Sequence, residues 1–164
     1  MGHVWLIGMM GTGKTTVGAI VAEQREMPLE DTDTRVMERT GQTIPELFGE
    51  SEARFRLEEA AAIEELAAEG NAVISTGGGA ILRPDSVELM RDTGHTVLLT
   101  ADTQELEHRL ADDLTRPLLS SPGALAAILA ERAPLYEAAA EVMIDTTGKL
   151  PGEVASEVLA WLDM

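Results

Sequence analysis

The octapeptide GMMGTGKT at residues 8 to 15 constrains this chain more than any other stretch, because it satisfies G-x-x-x-x-G-K-[ST] in the setting that pattern needs. Ahead of it runs HVWLI, residues 3 to 7, a short apolar segment. Behind it, Val17, Ile20 and Val21 fall at helical spacing over residues 14 to 26. Strand, glycine loop and helix in that order make a phosphate cradle. The glycines let the backbone curl until several N–H groups point inward, and the helix N-terminus adds partial positive charge. Gly11, Thr12, Gly13, Lys14, Thr15 and Thr16 are the candidate contacts to a nucleoside triphosphate. Lys14 is expected to reach the β- and γ-phosphates, and Thr15 to offer its hydroxyl to Mg²⁺. The rival account is an ordinary glycine-rich turn, which would not need both flanking elements.

The rest of the chain repeats the alternation. A second strand is expected near residues 29 to 33, since Pro28 argues against helix there and DTD then leads into polar, helix-compatible sequence. Residues 51 to 69, SEARFRLEEAAAIEELAAE, predict a helix capped by Ser51 and stopped at Gly70. AVIS at 72 to 75, TVLL at 96 to 99 and VMID at 142 to 145 suit buried parallel strands. Five such runs separated by helical sequence predict an α/β fold, a three-layer α/β/α sandwich around a five-stranded parallel sheet. A length of 164 residues with 45% apolar content suits a single domain over residues 1–164. Residues 111 to 123, ADDLTRPLLSSPG, break the helical pattern with two prolines and a Ser-Ser pair, and are expected to form a lid.

Charge narrows the partners. With 12 Lys plus Arg against 29 Asp plus Glu, the formal charge is −17, so the average surface repels phosphate. Neither a nucleic-acid platform nor an anionic-membrane binder is expected, and an anionic ligand must be held by a local cationic pocket. The absence of cysteine excludes disulfides and thiolate metal sites. The N-terminal apolar run is far too short to span a bilayer, so a soluble, cytoplasmic protein is expected, with a monomer the simpler state.

Two acidic residues and a few cations are candidates for the acceptor side. Asp31 and Asp33 are two apart, so an extended segment would send both carboxylates from one face. Beside the cradle they can divide the work, one fixing Mg²⁺ through water and the other orienting or deprotonating a hydroxyl; away from it they would read as a solvated turn. In RFRLEE, residues 54 to 59, Arg56 shares a helix face with Glu52 and Glu59, while Phe55 is expected to point elsewhere, toward core or pocket wall. That arrangement suits either a surface ion-pair ladder or a guanidinium held by Glu59 to grip a substrate carboxylate. Further segments bear on the choice. GGG at 77 to 79 leaves bare backbone at the carboxyl end of the sheet, where ligands of open α/β folds bind. Arg116, before Pro117, is expected to swing on a loop as an internal arginine finger over the γ-phosphate. ERAPLYE at 131 to 137 puts Arg132 ahead of an expected Pro-Leu-Tyr break.

Together these blocks resemble the shikimate kinase family: GMMGTGKTT, DTD at 31 to 33, FR at 55 to 56 with an acid three residues on, STGGGA at 75 to 80, RPLL at 116 to 119 and RAPLY at 132 to 136, in family order along nearly the whole chain. The resemblance implies a nucleoside-monophosphate-kinase-like P-loop fold with a substrate-binding helical region at about 32–62. It implies ATP-dependent phosphorylation of the shikimate 3-hydroxyl, on the chorismate route to aromatic amino acids. It also implies roles: Lys14, Thr15 and Asp31 for phosphates and Mg²⁺, with Ser75 in the metal's water shell; Asp33 for the reacting hydroxyl. Arg56, Arg132 and Gly77, Gly78 and Gly79 would hold shikimate, Glu59 would orient Arg56, and Arg116 would be the lid cation. Arg109, with the backbone around Lys149 to Pro151, would border adenine. Arg54 has no counterpart and reads as a surface residue. Another small-molecule kinase of the same architecture, such as a gluconate kinase, and a non-catalytic nucleotide-binding module are the alternatives.

Overall fold

A computed structural model describes residues 2–111, 121 and 123–164. Its centre is β1 (His3–Ile7), with every residue buried. The strand lies between β3 (Val73–Ser75) and β4 (Gly94–Thr100); β2 (Leu29–Asp31) flanks β3, and β5 (Val142–Asp145) flanks β4. All four pairings are parallel, giving the order β2-β3-β1-β4-β5.

The two-residue period of β1 sorts its side chains between two cores. Val4 and Leu6 join Val17 and Val21 of α1 (Lys14–Arg25) and Val154 and Val158 of α8 (Pro151–Leu162). Trp5 and Ile7 join the opposite core, which holds Ile63 and Leu66 of α4 (Glu52–Ala68) and Met90 of α5 (Pro84–Thr93). The same core takes Leu106 and Leu110 of α6 (Thr103–Leu110) and Leu125 and Tyr136 of α7 (Ala124–Ala139). A strand covered on both faces needs no polar alternation, which is why HVWLI reads as a continuous apolar run. Each large side chain fully buried there contributes about 1.5–3 kcal/mol.

A third, smaller core joins α2 (Thr32–Thr40), α3 (Ile44–Glu50) and α4 through Val36, Leu47, Phe55 and Ala62. Local signals start these helices. The Thr43 hydroxyl and Glu46 carboxylate form a reciprocal capping box on α3, and the Ser51 side chain accepts the Arg54 N–H at the head of α4, as the sequence predicts. These three helices occupy the segment expected to bind substrate.

Two expectations fail here. Asp33 is not on a strand: β2 ends at Asp31, whose side chain accepts the Thr34 N–H and starts α2, so Asp33 lies in the first helical turn. The N-cap bond ends the extended run at Asp31, two residues short of Asp33. The expected break at Pro134 does not occur either, since α7 runs through it from Ala124 to Ala139. Proline removes one N–H and crowds the carbonyl four residues back, but Leu125 on one side and Tyr136 and Ala139 on the other are buried in the same core and hold the helix continuous.

Candidate active site

The loop after β1 is shaped by backbone. Gly8, Gly11 and Gly13 have φ of 144°, 85° and 89°, values that L side chains rarely adopt. At Gly8 a Cβ would also strike the Leu99 carbonyl oxygen. The loop carbonyls are gathered inward. Lys14 Nζ donates to Gly8 O at 2.7 Å and Met9 O at 2.9 Å, and the buried Thr12 hydroxyl donates to Met9 O at 2.9 Å. Thr12 therefore holds the loop with its side chain. Helix α1 starts directly after Gly13 with no side-chain cap, leaving its first-turn N–H groups and dipole for an anion.

A cavity above this loop is lined by Gly11, Gly13, Lys14, Thr15, Thr16, Asp31, Ser75 and Arg109, among others. Within it three oxygen donors converge: Thr15 Oγ1 stands 3.0 Å from Ser75 Oγ and donates to Asp31 Oδ2 at 3.4 Å. Asp31 thus divides its carboxylate, Oδ1 capping α2 and Oδ2 facing Thr15. Two hydroxyls and one carboxylate are hard oxygen donors of the kind Mg²⁺ takes when phosphates and water complete its shell. No group of three or more acidic, His or Cys side chains that could cage a metal by itself occurs among the described residues.

Beside this cavity a hollow is lined by Gly11, Thr12, Gly13, Thr16, Arg109, Thr146, Lys149 and Pro151. Arg109 ties its rim together, donating to Gly11 O at 3.1 Å, to Thr146 Oγ1 and Thr146 O at 3.0 Å each, and to Glu105 at 3.0 Å. Lys149 pairs with Glu157 at 2.7 Å.

The third cavity lies against α2, α3 and α4, lined by Met10, Asp33, Ile44, Phe48, Phe55, Arg56, Glu59, Gly77, Gly78, Gly79 and Arg132. Met10, Asp33, Gly77 and Gly78 also line the loop cavity, so Asp33 stands where the two meet. Arg56 donates through Nη1 to Glu59 Oε1 at 2.9 Å and has Glu52 at 3.7 Å. Its Cζ lies 5.0 Å from the Phe55 ring centroid and 5.7 Å from that of Phe48. Phe55 is buried in the small core and forms part of the cavity wall, as expected, and the Arg56 guanidinium folds back over both rings, a cation–π arrangement that limits its rotamers. Arg56 Nε, though buried, has no hydrogen-bond partner among the described residues. Arg132, only 5% exposed, reaches the glycine turn from α7. One buried and one largely buried guanidinium on one small cavity are a site for an anion.

The glycine turn is there for space. None of Gly77, Gly78 and Gly79 has positive φ. A Cβ on Gly77 would come within 2.8 Å of Glu59 Oε2 and 2.9 Å of Asp33 Oδ1, and one on Gly79 would fall on the Arg56 guanidinium. Burial pushes the Glu59 carboxyl up from its ordinary range, against the pull of Arg56, with the Asp33 charge adding to the rise.

A model of the shikimate kinase family matches residues 10–163. The chain is 39% identical to the shikimate kinase of Pseudomonas syringae pv. tomato, over 99% of this chain and 96% of that one. It is 42% identical to that of Burkholderia pseudomallei, over 99% and 90%. The chain belongs to the shikimate kinase family. Among solved structures, a shikimate kinase from Acinetobacter baumannii in complex with shikimate superposes with a TM-score of 0.95 at 33% identity, over 99% of this chain and 93% of that one. A gluconokinase from Sinorhizobium meliloti shares the fold alone, with a TM-score of 0.66 at 20% identity.

Most of the sequence-predicted residues line these three cavities. Gly11, Gly13, Lys14, Thr15, Thr16, Asp31, Ser75 and Arg109 share the loop cavity; Thr12, Lys149 and Pro151 line the adjoining hollow; Asp33, Arg56, the three glycines and Arg132 share the third. Arg116, with most of the expected lid at 111 to 123, lies outside the described residues. Arg54 pairs with Glu50 and is 46% exposed, a surface residue as read. Sequence reasoning passed over Ile44, Phe48 and Met10 as cavity wall. One signal was available, since Phe48 and Phe55 are all the phenylalanine in the chain and both border Arg56.

Proposed function

We propose that this chain transfers the γ-phosphoryl group of ATP to the 3-hydroxyl of shikimate, on the chorismate route to aromatic amino acids. The observation that carries the reading is the shared boundary at Asp33: a loop cavity suited to phosphates adjoins a cavity lined by two arginines, and one carboxylate borders both. An acceptor bearing its carboxylate at one end and hydroxyls at the other suits that layout. Arg56 and Arg132 hold the carboxylate, the glycine turn lets the ring approach, and Asp33 orients the reacting hydroxyl and takes its proton.

Phosphoryl transfer asks for positioning and charge neutralisation rather than covalent chemistry by the protein. Gly11 through Thr16 cradle the phosphates and Lys14 reaches their terminal groups. Thr15, Asp31 and Ser75 fit Mg²⁺, which when bound neutralises developing charge on the phosphate oxygens. Arg116 is assigned the transition-state charge on sequence grounds, and Arg109, Lys149 and Pro151 the adenine border. Apolar Phe48, Phe55 and Ile44 exclude water on the acceptor side.

A monomer in the cytoplasm completes the reading. No helix among the described residues is long and apolar enough to cross a membrane, and the charge of −17 disfavours nucleic acid. A coupled ADP-release assay with shikimate, gluconate or no acceptor tests the activity. Shikimate-dependent ADP release with little response to gluconate is expected; equal rates with all three would overturn the reading.

A further inference from the structure

The turn at residues 77 to 79 carries no side chain with which to hold itself, and none of its glycines has a positive φ. Three glycines in a row cost backbone entropy to order, so the turn needs restraint from outside. Two buried hydroxyls, from α2 and α7, supply it. The Gly77 N–H donates to Thr32 Oγ1 at 2.8 Å, and Thr32 is fully buried at the head of α2, between Asp31 and Asp33. The Tyr136 hydroxyl donates to the Gly78 carbonyl. Tyr136, one turn beyond Arg132 on α7, is also buried, and its hydroxyl oxygen lies 3.9 Å from Met9 Sδ in the phosphate loop. Burial pushes the phenol up from its ordinary range, which keeps it an O–H donor at working pH.

We propose that Thr32 and Tyr136 are positioning residues that clamp the glycine turn, fixing the acceptor's seat against the phosphate loop. Neither needs to touch a substrate. Thr32 references the turn to the helix that carries Asp33; Tyr136 references it to Arg132 and to Met9, the residue whose carbonyl Lys14 and Thr12 grip. Donor and acceptor are thereby held in one frame, which matters because a displacement of about 1 Å can cost on the order of 10²-fold in rate.

This inference rests on the proposed shikimate phosphorylation, and steady-state kinetics of Tyr136→Phe, Thr32→Val and Thr32→Ser test it. Tyr136→Phe and Thr32→Val keep shape and each remove the hydrogen bond to the turn, so kcat is expected to fall roughly tenfold or more while KM for ATP stays within about twofold. Thr32→Ser, which restores the acceptor oxygen, should recover most of the rate. Unchanged kcat in folded Tyr136→Phe and Thr32→Val would overturn the clamp, as would a loss of kcat matched by an equal rise in ATP KM and a collapse in Tm. Should Tyr136→Phe not fold, the Thr32 pair decides. If the wild-type chain turns over no shikimate, the activity reading falls by itself, and amide hydrogen exchange at Gly77 in Thr32→Val then judges the clamp: faster exchange supports it and unchanged protection sinks it.

Discussion

The phosphate loop and the acceptor cavity solve the same problem, holding an anion on a protein of charge −17, by opposite means. The loop is a contiguous run whose geometry is set by positive-φ glycines and inward carbonyls, with one lysine added. The acceptor cavity is assembled from side chains of α2, α3, α4 and α7 and the bare backbone of the turn after β3, its two guanidiniums 76 positions apart in sequence (132 − 56). Many phosphate oxygens suit many weak backbone donors, whereas a single carboxylate is best gripped by planar, charged forks. Backbone changes should therefore injure the loop and charge changes the cavity, and each measurement below can separate the two.

The largest effect is expected at the lysine of the loop. Lys14→Ala should lower kcat/KM by about 10³-fold, read by ADP release. Next come the forks. Arg56→Ala or Arg132→Ala removes charged hydrogen bonds each worth about 1.5–3 kcal/mol, so KM for shikimate should rise roughly 10- to 100-fold. ADP affinity, measured by calorimetry, should hardly move, and an unaltered shikimate KM would reject the carboxylate role.

A matched pair of glycine changes sharpens the contrast. Gly8→Ala combines a strained φ with a backbone clash against Leu99, so a stability loss of about 1–3 kcal/mol with weakened ADP binding is expected. In Gly79→Ala the added methyl meets only the movable end of Arg56, so the protein should fold and bind ADP normally while shikimate KM rises several-fold. Equal loss of ADP affinity in both would erase the distinction.

Smaller still is the pH response of Glu59. Its carboxyl sits above the ordinary glutamate range because it is buried, so the folded state holds its proton more tightly than the unfolded state. Stability should decline as pH rises from the ordinary glutamate range through the raised value, the folded form giving up a proton at a cost the unfolded chain does not bear. Function runs the other way. Below the raised value Glu59 is neutral and loses its charge grip on Arg56, so shikimate KM should climb as pH falls. In Glu59→Gln both trends should flatten, checked by urea melts and KM against pH. Smallest of all, Arg54→Ala removes only an exposed pair with Glu50, and should alter stability and both KM values by no more than about 0.5 kcal/mol equivalent.

Much of the fold was legible because its signals are local. Apolar runs marked four of the five strands, Pro28 and the polar sequence after it marked β2, and Ser51 marked the start of α4. The failures share a cause. Asp31 and Asp33 part company because one side-chain cap converts strand to helix between them, and α7 survives Pro134 because residues on both sides of it are buried in one core. Phe48 and Phe55 become a floor beneath Arg56 only once α3 and α4 pack.

The sequence alone determined the phosphate loop, the order of strands and helices along the chain and the family, since each is written in contiguous residues or in blocks of fixed order. Tertiary structure decided how the acceptor cavity is made: that Asp33 borders both cavities, that Glu59 is buried beside it, and that Thr32 and Tyr136 meet the glycine turn from two different helices. Backbone geometry is a local property and can be read in order, but the convergence of side chains from separate helices depends on packing, which no short stretch of sequence contains.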